Sequence, residues 1–156
     1  MPLNKLIDYL DEHGKKYVVV KHSEAFTAQE VAASAHIPGK NMVKTVITKV
    51  DGDMKMVVLD SNHEVDFDQI KDELDADQVS LASEDEFEDL FPGCELGAMP
   101  PFGNLFDMET YVAESLTDND LIAFNAGTHK ELVKMSYADF EELVDPTIIP
   151  LAVRHS

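Results

Sequence analysis

The chain has no tryptophan and one cysteine, Cys94. A lone cysteine excludes an intramolecular disulfide framework and fits a reducing compartment, so a cytoplasmic location is expected. Basic residues are scarce: 12 Lys and Arg stand against 31 Asp and Glu, a net charge of −19. That balance excludes a general nucleic-acid binder, and DNA is not an expected partner. No apolar run approaches the ~20 residues that cross a bilayer. The N-terminus turns amphipathic at once, at Met1-Pro2-Leu3-Asn4-Lys5-Leu6-Ile7-Asp8, unlike a signal peptide, so no membrane partner is expected either. The six histidines never show the spacing H-E-x-x-H, and C-x-x-C is absent. No metal site and no cofactor are therefore expected. The nucleophile elbow G-x-S-x-G and the P-loop are also absent.

What is present suffices for one domain with a real core, spanning residues 1–156. The charge is unevenly spread. Residues 1–50 hold seven Lys and five Asp or Glu, whereas residues 51–156 hold five Lys or Arg and 26 acids. Either the first third meets an anion, or acidic surface helices simply fall later in the chain.

Local patterns interleave helices and strands. Leu3, Leu6, Ile7 and Leu10 follow helical spacing up to Gly14. Tyr17 to Val20 reads as a strand. Thr27 with Glu30 forms a capping-box pattern for a helix running to about His36. Met42–Val50 and Met54–Leu59 read as strands joined by a hairpin at Asp51-Gly52-Asp53. Asp66 caps a helix carrying Phe67, Ile70 and Leu74. Ser83 and Glu86 start another, whose apolar face is Phe87 and Leu90. Tyr111–Val112, Leu121–Ala126 and Glu131–Met135 read as strands, and Ser136 with Asp139 opens a last helix stopped by Pro146. The expected fold is a single mixed α+β domain, with a central mostly antiparallel sheet or partial barrel flanked by helices.

Three stretches could carry chemistry. In Gly97-Ala98-Met99-Pro100-Pro101-Phe102-Gly103, glycines bracket two prolines and an aromatic, and no residue is charged. Prolines fix φ and lack N–H donors, so this is a shaped loop. It reads as a ligand loop whose free donors are the N–H groups of Ala98, Met99, Phe102 and Gly103, or as a surface turn over a buried Phe102. Lys44 lies inside the strand Met42-Val43-Lys44-Thr45-Val46-Ile47, on one face with Met42, Val46, Thr48 and Val50. An ammonium there either snorkels to water or meets an anion in a pocket. Asn125-Ala126-Gly127-Thr128-His129 turns on Gly127 after a strand, which makes His129 a surface residue or an acid–base and hydrogen-bonding group.

In this order and spacing the three stretches resemble the YbaK/EbsC family of aminoacyl-tRNA deacylases, which includes the editing domain inserted in bacterial prolyl-tRNA synthetases and freestanding relatives. The resemblance runs from the first helix to about Val144. Its most specific part is the G-x-x-x-P-F-G loop, followed by the strand lysine; Pro100 stands where relatives often carry a residue with a free N–H. It implies a freestanding trans-editing hydrolase that removes a small amino acid, such as alanine, from a mischarged tRNA. The partners implied are the acceptor end of that tRNA and, behind it, an aminoacyl-tRNA synthetase. The catalytic roles fall to Lys44 and Gly97. Substrate contacts fall to Thr45, Ala98, Met99, Pro101, Phe102, Gly103, Ala126, Gly127 and His129. No nucleophile–base pair is evident, so the implied hydrolysis is non-covalent and substrate-assisted. The alternative is a non-catalytic module that binds a tRNA end or a nucleotide.

From the charge split, phosphate contacts are expected at Lys21, Lys40 and Lys49, with Lys15 and Lys16 as further candidates. Lys71 and Lys134, outside the basic third, are expected to matter much less.

Overall fold

The computed structural model describes residues 3–22, 37–150 and 152–154. The helix expected over Thr27–His36 lies outside them. Ten strands and four α-helices alternate through the described residues. The strands are β1 Val18–Lys21, β2 Val43–Val50, β3 Asp53–Asp60, β4 His63–Val65, β5 Val79–Leu81, β6 Thr110–Ala113, β7 Leu121–Asn125, β8 Glu131–Ser136, β9 Thr147–Ile149 and β10 Ala152–Arg154. The helices are α1 Asn4–Glu12, α2 Phe67–Glu73, α3 Glu84–Phe87 and α4 Tyr137–Val144.

Local chemistry sets the boundaries. The β2–β3 hairpin closes at the pair Val50 and Asp53, so Asp51 and Gly52 alone form its turn. Asp66 accepts the N–H of Gln69 and starts α2. Ser83 and Glu86 form a reciprocal capping box at α3. Ser136 accepts the N–H of Asp139 at α4. Leu90 departs from expectation: 3-10 winding takes over at Glu88–Leu90, the register shifts, and Leu90 is 40% exposed.

A five-stranded sheet has the order β5-β2-β3-β6-β9, and a three-stranded sheet the order β1-β8-β7. A third, two-stranded sheet pairs β10 with β4. The α+β class holds and the sheets do not close into a barrel. Five of the seven strand pairings are antiparallel. Both parallel pairings, β3–β6 and β6–β9, fall in the central sheet, which is therefore evenly mixed. The residues between β3 and β6 provide the crossover that a parallel neighbour needs.

Two cores flank the central sheet. Val43, Ile47, Met56, Val58 and Val112 face the larger one, together with Leu6 and Leu10 of α1 and Phe140 of α4. Val57, Leu59, Tyr111, Ala113 and Ile70 of α2 form the smaller one. Phe102 is fully buried in the larger core, its ring centroid 5.5 Å from Phe124, 5.4 Å from Phe140 and 6.2 Å from Tyr9. Phe102 therefore anchors its loop from below, and its side chain is packed in the core rather than on the surface. Deleting an aromatic at such a site costs roughly 3–5 kcal/mol, so Phe102→Ala should lower stability by about that much, read by urea titration.

Candidate functional site

The two larger sheets meet at one parallel bridge, Met42 to Ala123. Side chains and caps reinforce it. The N–H of Ala123 donates to Asn41 O at 2.9 Å, and Asn41 Nδ2 to Leu121 O at 2.7 Å. Asn119 Nδ2 reaches Lys40 O at 2.8 Å. Strand β2 pairs with β3 along its whole length. On its other edge β2 holds β7 at Met42, β5 at Thr48–Val50, and the N–H of Ala82 at Ile47 O. A gap is left at Lys44–Val46. Asn41 and Ile47 turn their carbonyls to this edge, so the two-residue repeat turns the main chain of Thr45 to it as well. Among the described residues no hydrogen bond engages Thr45 on that side.

Lys44 borders the gap. Its neighbours Val43 and Ile47 enter the larger core while Val46 packs on the smaller one, so the Lys44 side chain takes the face opposite that of Thr45. Only the Thr45 main chain faces the gap; the Lys44 side chain rises from the sheet face that it shares with Val46, toward Glu64 and Asp60. Lys44 is half-buried and has no hydrogen bond or ion pair among the described residues. Burial pushes its pKa below the usual lysine value, against the pull of Glu64 and Asp60. Asp60 is 3% exposed and takes His63 Nδ1 at 2.5 Å.

Beyond the bridge, β7 runs to Asn125, whose position on the pleat is that of Ala123 and Lys44's neighbour Met42. Asn125 is 9% exposed, and its amide oxygen has no partner among the described residues. Sequence reasoning passed over Asn125; the available signal was an amide closing an otherwise apolar strand.

The loop Gly97–Gly103 is bolted to the turn after β7. Glu95 donates its N–H to Gly127 O at 2.8 Å, and Gly127 returns its own to Ala98 O at 2.9 Å. The N–H of His129 reaches Glu95 Oε1 at 2.7 Å, and its ring Nε2 contacts Leu96 O at 2.7 Å. A carbonyl only accepts, so Nε2 carries the proton. His129 is 5% exposed, which removes the surface reading. Gly97 has φ +85°, and a Cβ there would stand 3.3 Å from His129 Cε1. A side chain on Gly103 would collide with Thr110 and with the Met108 carbonyl. Ala126 is buried, its N–H bonded to Glu131 O and its carbonyl to the N–H of Leu3.

Of the four donors expected in the loop, two are engaged internally: Ala98 N–H to Glu95 O and Phe102 N–H to Pro100 O. Met99 and Gly103 keep N–H groups without a partner among the described residues. Ala98, Met99, Pro101 and Gly103 are themselves buried, so the loop offers backbone more than side chain.

Residues 22–143 match the model of the aminoacyl-tRNA editing domain family. The chain belongs to that family. It is 27% identical over 150 residues to the multifunctional Ser/Thr-tRNA deacylase ProXp-y of Escherichia coli K12, covering 93% of this chain and 89% of that one. It is 31% identical over 99 residues to the proline–tRNA ligase of Bacillus mycoides, but those residues are 64% of this chain and only 17% of the ligase. A crystal structure of a hypothetical protein superposes with a TM-score of 0.85 at 19% identity over 96% of this chain and all of that one. One of a candidate trans-editing enzyme for prolyl tRNA synthetase gives 0.80 at 18% identity, covering 97% of this chain and 96% of that one. At those identities the likeness shows the editing-domain fold.

Within this editing domain the phosphate candidates differ in availability. Lys21 and Lys40 are exposed. Lys49 is held by Glu86 at 2.6 Å, and the lysine keeps the Glu86 carboxyl at about 2. Cys94 is half-buried, and burial lifts its thiol to about 11, away from thiolate chemistry.

Two outcomes follow. Gly97→Ala forces an L-residue into the left-handed region and should cost about 1–2 kcal/mol, read by urea titration. Lys44 has a folded pKa below its unfolded value near 10.5, so the unfolded chain binds more protons between the two. Stability therefore rises with pH through that window, and charged Lys44 is a liability below it. Lys44→Met should raise the Tm at neutral pH; a lowered Tm would contradict this.

Proposed function

We propose that this chain is a trans-acting aminoacyl-tRNA deacylase, which hydrolyses the ester between a small amino acid and the terminal ribose of a mischarged tRNA. The observation that carries the reading is the open edge of β2. Along it the Thr45 main chain is unengaged among the described residues and Lys44 stands half-buried on the adjoining face, while the loop held by His129 keeps the N–H groups of Met99 and Gly103 without a partner among the described residues. Membership of the editing-domain family and the likeness to a Ser/Thr-tRNA deacylase support it.

Ester hydrolysis needs a placed water and donors for the oxyanion that develops on the carbonyl. In this reading Lys44 holds the phosphate or ester region, and the loop N–H groups face the carbonyl oxygen. Water adds to the carbonyl carbon, the C–O bond to the ribose breaks, and the ribose oxygen leaves with a proton. A ribose hydroxyl or the substrate amine relays that proton, since the raised Cys94 thiol offers no nucleophile. In the same reading the amide oxygen of Asn125, without a partner among the described residues, accepts from the substrate. Gly97 and Gly127 let the backbone approach, Ala126 closes the pocket wall, and His129 sets its shape. Thr45 acts through its backbone. Lys21 and Lys40 contact phosphates, and a synthetase is the source of the mischarged tRNA.

The test is deacylation of a panel of mischarged tRNAs carrying alanine, serine, threonine or cysteine. Wild type should release a small amino acid, and Lys44→Ala should lower the rate about 100-fold or more, comparable to losing an oxyanion donor. Cys94→Ser should retain full turnover. Saturable tRNA binding with no turnover on any member would replace the enzyme by the non-catalytic binding module.

A further inference from the structure

The antiparallel ladder of β1 and β8 gathers lysines that lie far apart in the sequence. Its register sets Val18 against Lys134 and Lys21 against Glu131. Strand β1 is the edge of its sheet, and Val18 and Val19 are 60% and 37% exposed. A basic recess lies at each end of this edge. At the start of β1, a groove of about 760 Å³ is lined by Lys15, Lys16 and Lys134, with Val18 and Leu121 among its apolar walls. At the end of β1, a cleft of about 270 Å³ is lined by Lys21, His22, Lys130 and Glu131. His22 donates its N–H to Lys130 O, one residue from His129 of the candidate site.

Two lysines elsewhere are neutralised on the surface. Lys49 is tied to Glu86 at 2.6 Å and Lys55 to Glu109 at 3.1 Å. Within the groove Lys15 is tied to Glu142 at 2.6 Å and lies 3.7 Å from Asp139. Lys16, Lys21 and Lys134 have no ion pair among the described residues. In a chain of net charge −19, Lys16 and Lys134 in one recess and Lys21 in the other form a local attractor for a polyanion at the β1–β8 ladder.

We infer that the β1–β8 ladder is a phosphate track that carries the acceptor arm of tRNA to the editing pocket. This rests on the deacylase reading and names the surface it uses. From Lys16 to Lys21 an extended chain covers about 16 Å, enough to meet several phosphates. The track ends beside the Thr128–His129 turn, so RNA lying along it arrives at the site with its 3′ end. It includes Lys134, which the charge count along the sequence set aside.

The experiment measures binding of uncharged tRNA between 50 and 200 mM salt, and deacylation kinetics, for wild type, Lys16→Glu, Lys21→Glu, Lys134→Gln and Lys71→Glu. Lys134→Gln keeps the half-buried stem, and thermal melts check that each variant folds. Each track variant should weaken binding about five- to tenfold near 100 mM salt, and Lys16→Glu with Lys134→Gln should flatten the salt slope by about two. KM should rise with kcat within about twofold, because phosphate contacts hold ground and transition states alike. Lys71→Glu, on the last turn of α2, should stay within about twofold of wild type in both. Equal loss from Lys71→Glu, or none from the track variants, overturns the inference while deacylation stands. Track-dependent binding without turnover sustains the track and overturns the deacylase reading. If Lys16→Glu changes the sedimentation mass and leaves tRNA affinity alone, the β1 edge is a seam between two copies and the inference is wrong.

Discussion

The single bridge between Met42 and Ala123 is the constraint on which the site depends. A longer ladder there would fuse the two sheets and occupy the β2 edge at Lys44–Val46. No bridge at all would leave β7, and the turn that follows it, unplaced relative to Lys44. One bridge, reinforced by Asn41 and Asn119, fixes the two strands at their starts and lets them part. The cost is a stretch of central strand with unpaired backbone and a half-buried ammonium. Such groups are expensive in a purely structural sheet, and the proposed substrate would offset them.

Rigidity on the opposite wall comes from a different source. Two prolines and a left-handed Gly97 restrict the loop before any contact with the rest of the chain, and the buried Phe102 then anchors it in the core. Four hydrogen bonds through Glu95, Ala98, Gly127 and His129 then fasten it to the β7–β8 turn. His129 acts from behind the loop, through the Leu96 carbonyl. In the proposed reading its substitution would loosen the loop backbone, a positioning effect rather than the loss of a direct contact.

Much of this was legible in the sequence, and the limits have physical causes. Caps at Asp66, Ser83 and Ser136, the Asp51-Gly52 turn and the helical stripe of α1 are encoded within a few residues, so local pattern finds them. The burial of Phe102 depends on Phe124 and Phe140, which approach only after folding. The parallel pairing of β3 with β6 joins strands some fifty residues apart, and no local signal carries it. Period-2 alternation placed Lys44 and Val46 on one face, as found, yet it also puts Thr45 on the other, and only the β2 edge register shows that Thr45 can still serve through its backbone. Asn125 escaped because a lone amide at a strand end is common; what marks it is an amide oxygen without a partner among the described residues at nine-tenths burial.

Charge shows most clearly how position in the sequence and position in the fold diverge. Counting along the chain makes residues 1–50 the basic third and assigns Lys134 to the acidic remainder. Folding removes Lys15 and Lys49 from that third as free cations, by pairing them with Glu142 and Glu86 from later segments. It also adds Lys134, by laying β8 against β1. The net charge of the first third changes little, but two of its cations are paired away and Lys134 joins Lys16 and Lys21 at the β1–β8 ladder. The RNA substrate proposed for this acidic protein would need such an arrangement. Its bulk charge repels the polyanion everywhere else, so even a few unpaired lysines in one place set the orientation of approach.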